Sequence, residues 1–163
     1  MATSLSLSSV SGNLTWLNIG DNSFKSEFAQ FALNDLIKGA TQLTYLNISD
    51  IGYDNEDAAE TLKSAIEESK CKGTLEHLDW SYDACDMDDF IPKFLALFTQ
   101  EEFPELKCLE LAETLESVKK RNKWRRHFNE MGVKMIFSDR QKMSEDPEEE
   151  KLTSTESSGE DDD

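Results

Sequence analysis

LTWLNIGDN at residues 14–22 returns as LTYLNISDI at 43–51, as LEHLDWSYD at 75–83 and as LKCLELAET at 106–114. The opening leucines, Leu14, Leu43, Leu75 and Leu106, stand 29, 32 and 31 residues apart, so the chain is an array of one supersecondary unit. Each copy follows the L-x-x-L-x-L pattern, with Ile19, Ile48, Trp80 and Leu111 at its last apolar position, and apolar and polar residues alternate at its end. That period of two predicts a strand whose leucines point inward while the residues between them point out.

A helical pattern follows each strand. Phe24, Phe28, Phe31, Ala32 and Leu36 recur at helical spacing after the first, Ala58, Ala59, Leu62, Ala65 and Ile66 after the second, and Met87, Phe90, Ile91, Phe94, Leu95 and Phe98 after the third. Asp54 and Asp57 read as a variant capping box. Gly39 and Gly73 sit where helix C-termini favour positive φ, and Pro92 falls near a helix start. Strand followed by helix at a fixed period predicts an α/β right-handed solenoid, a short horseshoe with parallel strands on its concave face and helices on its convex face. One unit buries too little alone, so stacking must supply the stability.

The motif LxxLxLxxN at this period resembles the ribonuclease-inhibitor-like class of leucine-rich repeat, the class that also builds the Ran GTPase-activating proteins. The resemblance runs from about Leu14 to Phe137. In that class the ninth motif position is a backbone-bonding asparagine; here it reads Asn22, Ile51, Asp83 and Thr114. Asp83 and Thr114 retain hydrogen-bonding capacity and Ile51 does not, which predicts an irregular loop after the second strand. The activity implied by similarity to the Ran activators looks to need an arginine and an asparagine in early repeats. This chain has no arginine before Arg121, so no catalytic position carries over.

Three segments follow from composition. Residues 1–13 form an N-terminal edge segment with only Leu5, Leu7 and Val10 before the first full repeat, and residues 14–140 form the repeat domain with its C-terminal cap. The edge segment fits either a short unpaired strand or the continuation of a longer array. In the cap, Leu115, Val118, Trp124, Phe128 and Met131 are expected to pack a last helix, and GVKMIFSD at 132–139 reads as a closing strand. Residues 141–163 carry ten acidic and two basic side chains with few apolar ones, which predicts a disordered acidic tail. Its serines and threonines, Ser154 to Ser158, lie beside acids and resemble acidophilic kinase sites.

Thirty-four acidic against 17 basic residues give a formal net charge of −17, which disfavours nucleic acid and anionic membranes and favours basic partners. No basic, apolar leader and no apolar run of membrane-spanning length occurs in the sequence, so the expected location is cytoplasmic or nuclear. Cys71, Cys85 and Cys108 are odd in number and widely spaced, and read as reduced thiols.

The outward positions of the strands define the candidate site. The third motif position gives Trp16, Tyr45, His77 and Cys108; the fifth gives Asn18, Asn47, Asp79 and Glu110; the eighth gives Asp21, Asp50, Tyr82 and Glu113. Aromatic rings beside carboxylates offer anchoring area with orientation by charge, and predict a basic protein partner. The same residues also suit a stacked cross-strand pair with solvated acids beside it. His77 and His127 stand in no metal-binding or nucleophile spacing, no glycine-rich phosphate loop is present, and Asp83, Asp86, Asp88 and Asp89 lack the remaining ligands of a calcium loop. No metal, cofactor or catalytic residue is therefore expected. KKRNKWRR at 119–126 is the one basic island, suited to nuclear import, to an acidic partner or to a solvated helix face.

The expectation is a non-catalytic protein interaction module, a monomer or part of a longer array. The alternatives are a fragment of a small-GTPase regulator similar to the Ran activators, and an acidic chaperone of basic proteins such as histones.

Overall fold

All four L-x-x-L-x-L segments are extended, and a fifth strand joins them. The computed structural model describes residues 12–22, 24, 26–52, 56–81, 90–112 and 118–138. Among them lie β1 (Trp16–Asn18), β2 (Tyr45–Asn47), β3 (His77–Trp80), β4 (Cys108–Ala112) and β5 (Lys134–Ser138). These alternate with α1 (Glu27–Gly39), α2 (Glu56–Glu67), α3 (Phe90–Leu95) and α4 (Val118–Glu130). The strands form one sheet in the order β1-β2-β3-β4-β5, and each neighbouring pair is parallel.

Register follows the sequence repeat. Leu17, Leu46, Leu78, Leu109 and Met135 align across the sheet, one residue per strand. Ahead of the strands the same hydrogen bonds recur three times. Thr44 and Tyr45 N–H donate to the Thr15 carbonyl at 2.8 and 3.3 Å, Glu76 and His77 to Thr44 at 2.8 and 3.0 Å, and Lys107 and Cys108 to Glu76 at 2.8 and 3.0 Å. Strands of three to five residues are thus extended by backbone pairing on their flanks.

One face of the sheet is buried. Leu46, Leu78 and Leu109 share a continuous core with Ile37 of α1, Leu62 and Ile66 of α2, and Phe94 of α3. Between β3 and β4 the core is aromatic: Trp80 meets Phe94 edge-on at 4.7 Å, Phe94 meets Phe98 at 5.1 Å, and Phe98 meets Phe103 at 4.8 Å. The first two contacts are edge-to-face and add to area burial because ring edges and faces carry opposite partial charge; the third is tilted by 46°. The apolar stripes expected after the second and third strands are buried as read, apart from Met87, which lies outside the described residues.

The first helix corrects the sequence reading. Phe28 and Phe31 are 84% and 67% exposed, Phe24, Ala32 and Leu36 are half-buried, and the buried stripe is Leu33, Asn34 and Ile37. Five apolar residues at helical spacing define one stripe, but Leu33 and Ile37, one turn apart, define another that meets the strand leucines. Ser26 caps this helix, its Oγ accepting from Ala29 N–H at 3.2 Å. Left-handed glycine is also absent from the expected places. Helix α1 runs through Gly39 and closes on Ala40 at φ −67°, and Gly73 sits in an ordinary turn. Among the described residues the left-handed glycines are Gly52 (φ 80°) and Gly132 (φ 77°).

A last helix, α4, and a fifth strand, β5, follow β4. Gly132 N–H donates to Asn129 and Val133 N–H to Phe128, at 3.0 and 2.9 Å, the paired bonds of a Schellman closure that turns the chain into β5. Phe128 is buried and Trp124 and Met131 pack against the core. Of the basic island, Arg121 is buried, and the Arg121 and Arg125 guanidinium carbons lie 6.0 and 5.0 Å from the Phe137 ring centroid. Lys119, Lys120, Lys123 and Arg126 are exposed.

Ile51 at the ninth motif position is fully buried, and its carbonyl accepts from Phe24 N–H at 2.8 Å. The loop expected to be irregular continues past Gly52 into residues 53–55, outside the described residues. Leu5, Leu7, Val10, Asp54, Cys85, Leu115 and the tail at 141–163 lie outside them as well. No helix among the described residues is long and apolar enough to cross a membrane.

Candidate functional site

The face of the sheet opposite the core carries two ranks of side chains. Alternation puts Trp16, Tyr45, His77, Cys108 and Lys134 in one rank and Asn18, Asn47, Asp79, Glu110 and Ile136 in the next, two residues along each strand. Trp16, Tyr45 and His77 stack. Their ring centroids are 5.1 and 4.8 Å apart and their planes are tilted by 12° and 20°, spacings set by the distance between neighbouring strands. Trp16 remains 56% exposed at the end of the stack.

The second rank has a structural duty that the sequence reading did not assign. Asn18, Asn47 and Asp79 each use Oδ1 to accept a backbone N–H two residues on, from Gly20 at 3.1 Å, Ser49 at 2.9 Å and Ser81 at 3.0 Å. These side-chain bonds turn the chain away at the end of each strand. Ser49 Oγ also donates to Asn47 Oδ1 at 2.7 Å. In β4 the rank changes chemistry, and Glu110 accepts from the Ser138 hydroxyl of β5.

Asp79 and Glu110 stand side by side in register, two carboxylates on neighbouring strands. Burial pushes the Asp79 carboxyl above its ordinary range; hydrogen bonds from Ser81 oppose that rise and the Glu110 charge adds to it. Like charges so placed repel. Burial, and then the Glu110 charge, also push up the Cys108 thiol, so it stays protonated at neutral pH and is a weak nucleophile.

Asp21 and Asp50, from the eighth motif position, lie in the turns just past β1 and β2 with φ of 59° and 49°. Aspartate tolerates this left-handed backbone better than most residues, so its presence there is partly conformational. Their N–H groups donate to Ser49 and Ser81 carbonyls at 2.9 and 3.0 Å, continuing the parallel ladder into the turns. Asn22 bonds the backbone as the repeat motif implied, its Nδ2 donating to Ile19 and Gly20 carbonyls, both at 2.9 Å. Tyr82 and Glu113, and the acidic run Asp83, Asp86, Asp88 and Asp89, lie outside the described residues.

Trp16, Tyr45, His77, Asn18, Asn47, Asp79 and Glu110 are thus brought onto one face, with Asp21 and Asp50 at the strand ends. Sequence reading missed that β5 extends the first rank with Lys134, which bounds the acidic face. The L-x-x-L-x-L signature does not extend to VKMIF at 133–137, which left that register invisible. No group of three or more His, Cys, Asp and Glu side chains among the described residues is arranged to hold a metal ion. Comparison with protein-family models, with curated proteins and with solved structures gives no match.

Proposed function

We propose that the chain is a short leucine-rich solenoid of the ribonuclease-inhibitor-like class, and that it acts as a protein interaction module whose acidic, aromatic sheet face receives a basic segment of a partner protein. The observation that carries this reading is the in-register stack of Trp16, Tyr45 and His77 beside the rank that contains Asp79 and Glu110. Flat aromatic area on a rigid sheet loses little side-chain entropy on binding. The adjacent carboxylates repel one another in the free protein, and a lysine or arginine laid across them relieves that repulsion. The net charge of −17 steers such a segment inward from solution.

The support for the solenoid is the period of the leucines and their alignment in a parallel sheet, with helices between successive strands. The test is a double variant, Trp16→Ala with Tyr45→Ala, measured against partners captured with the intact chain and identified by mass spectrometry. Loss of about 2 kcal/mol or more is expected for true anchors. Removing residues 141–163 is expected to leave most of the affinity in place. Unchanged affinity in the folded double variant, or complete loss on removing the tail, argues for an acidic chaperone and against the sheet face.

A further inference from the structure

Helix α4 carries cations on two faces. On one, the Arg121 and Arg125 guanidinium carbons lie over the Phe137 ring. On the other, Lys119, Lys123 and Arg126 follow one another at spacings of four and three residues, all exposed, in a stripe about 10 Å long. Lysines elsewhere meet glutamates: Lys38 with Glu68 at 2.9 Å, Lys107 with Glu76 at 2.7 Å, and Lys72 with Glu102. Among the described residues, no carboxylate pairs with Lys119, Lys123 or Arg126. Cations so spaced on a helix repel one another, and they attract whatever acid can reach them.

Topology brings one acidic segment to this face. The turn at residues 131–133 sends the chain from α4 back along it as β5, and Phe137, one residue before the end of β5, lies level with Arg121 and Arg125. The chain therefore leaves Ser138 beside the middle of α4. Seven residues further on begins EDPEEE at 145–150, five acids in six positions. Seven residues reach up to about 23 Å, against a helix about 10 Å across, so these acids can round α4 to its basic stripe. A linker this short holds the two charges at an effective concentration on the order of millimolar, and contact then needs little intrinsic affinity. A second copy, by contrast, approaches against a net charge of −17 on each chain.

We propose that Glu145, Asp146, Glu148, Glu149 and Glu150 dock on the Lys119, Lys123 and Arg126 face of α4 in the same molecule, an intramolecular cover that keeps other anions off the basic island. The contact is exposed and electrostatic, so salt screens it. It is independent of the sheet face and of what binds there.

The test follows backbone amide NMR signals of the full-length chain as salt is raised from about 0.1 to 1 M, over which the screening length falls from about 10 to 3 Å. One variant neutralises the docking acids (Glu145→Gln, Asp146→Asn, Glu148→Gln, Glu149→Gln, Glu150→Gln). A second makes the same change in charge further along (Glu156→Gln, Glu160→Gln, Asp161→Asn, Asp162→Asn, Asp163→Asn). In the parent, the signals of Lys119, Lys123 and Arg126 are expected to move with salt together with those of 145–150. The first variant should start near the parent's high-salt positions and lose the salt response, while the second keeps most of it. Lys119→Gln with Lys123→Gln and Arg126→Gln should displace the 145–150 signals in the same way. Leu17 and Leu46 signals should stay in place throughout, which reports an unchanged fold. Unmoved α4 signals in the first variant, equal effects of the two tail variants, or shifts that grow with protein concentration overturn the assignment.

Discussion

At the residue scale, the fifth motif position turns the backbone at each strand end and, in the proposed function, also faces a partner; Asp79 shows where two such demands conflict. Asn18 and Asn47 make their strand-end turns with neutral amides, whereas Asp79 makes the same bond with a carboxylate whose proton affinity is raised chiefly by burial. Above the ordinary value of 3.8 the folded chain holds this proton more tightly than the unfolded chain, so the Asp79 contribution to stability falls as pH rises through that window. Asp79→Asn keeps the acceptor for Ser81 N–H and removes the charge. Its melting temperature should exceed the parent's at neutral pH, with the gap closing as pH is lowered towards 3.8; a less stable variant at neutral pH would mean that the charged hydrogen bond outweighs burial. Glycines divide in a similar way. A methyl group on Gly20 would lie 2.6 Å from Ser49 Oγ and 2.7 Å from Asn47 Oδ1, whereas on Gly132 it would meet nothing and suffer only from φ of 77°. Gly132→Ala is therefore a purely conformational change, expected to lower stability by about 1 kcal/mol in urea unfolding, and Gly132→Asn should cost less. The asparagines and aspartates were legible as outward residues, but their turn bonds were not, because a period of two fixes the face and is silent on a side chain's local partner.

At the element scale, strands were easier to read than helices. Four copies of one leucine pattern align themselves, and parallel register follows from repeat length alone. Helix α1 carries two apolar stripes and periodicity does not rank them. Phe28 and Phe31 dominate by hydrophobicity, while the true inner stripe of Leu33 and Ile37 is interrupted by Asn34. The strand leucines decide which stripe is buried, and that is a tertiary fact. Separate substitutions make the distinction measurable. Ile37→Ala, at a fully packed position, should cost about 2–5 kcal/mol. Phe28→Ser and Phe31→Ser, at exposed positions away from the core, should each stay within about 0.5 kcal/mol of the parent. Denaturant midpoints of the three variants check this, and a large loss for either phenylalanine would return it to the core. A pocket between α1 and α2, lined by Phe31 and Asn34 of one repeat and Asp57 and Thr61 of the next, escaped sequence reading for the same reason: only packing brings the two repeats together.

At the scale of the whole molecule, stability has to be shared along the array, because each strand pairs only with its neighbours and no described element closes the sheet on itself. The core nevertheless runs without interruption from Leu33 to Phe137, so loss at one end exposes the next layer. The α4–β5 unit is the sharpest case. Strand β5 pairs with β4 along five residues, from Cys108 opposite Lys134 to Ala112 opposite Ser138, and brings Met135 and Phe137 into the core along with Phe128 of α4. Removing residues 118 onward strips those three side chains and leaves the backbone of β4 as an open edge over Leu109 and Leu111, which are fully buried in the intact chain. An exposed edge of that kind recruits other strands. A chain ending at 117 is therefore expected to self-associate and to lose its cooperative thermal transition, whereas a chain ending at 140 should elute as a monomer, later than the parent, and melt at nearly the same temperature. Size-exclusion chromatography with circular dichroism separates these outcomes. A monomeric, cooperatively melting chain ending at 117 would show that the first three strand–helix units and β4 hold together without a cap, and that α4 and β5 serve binding rather than closure.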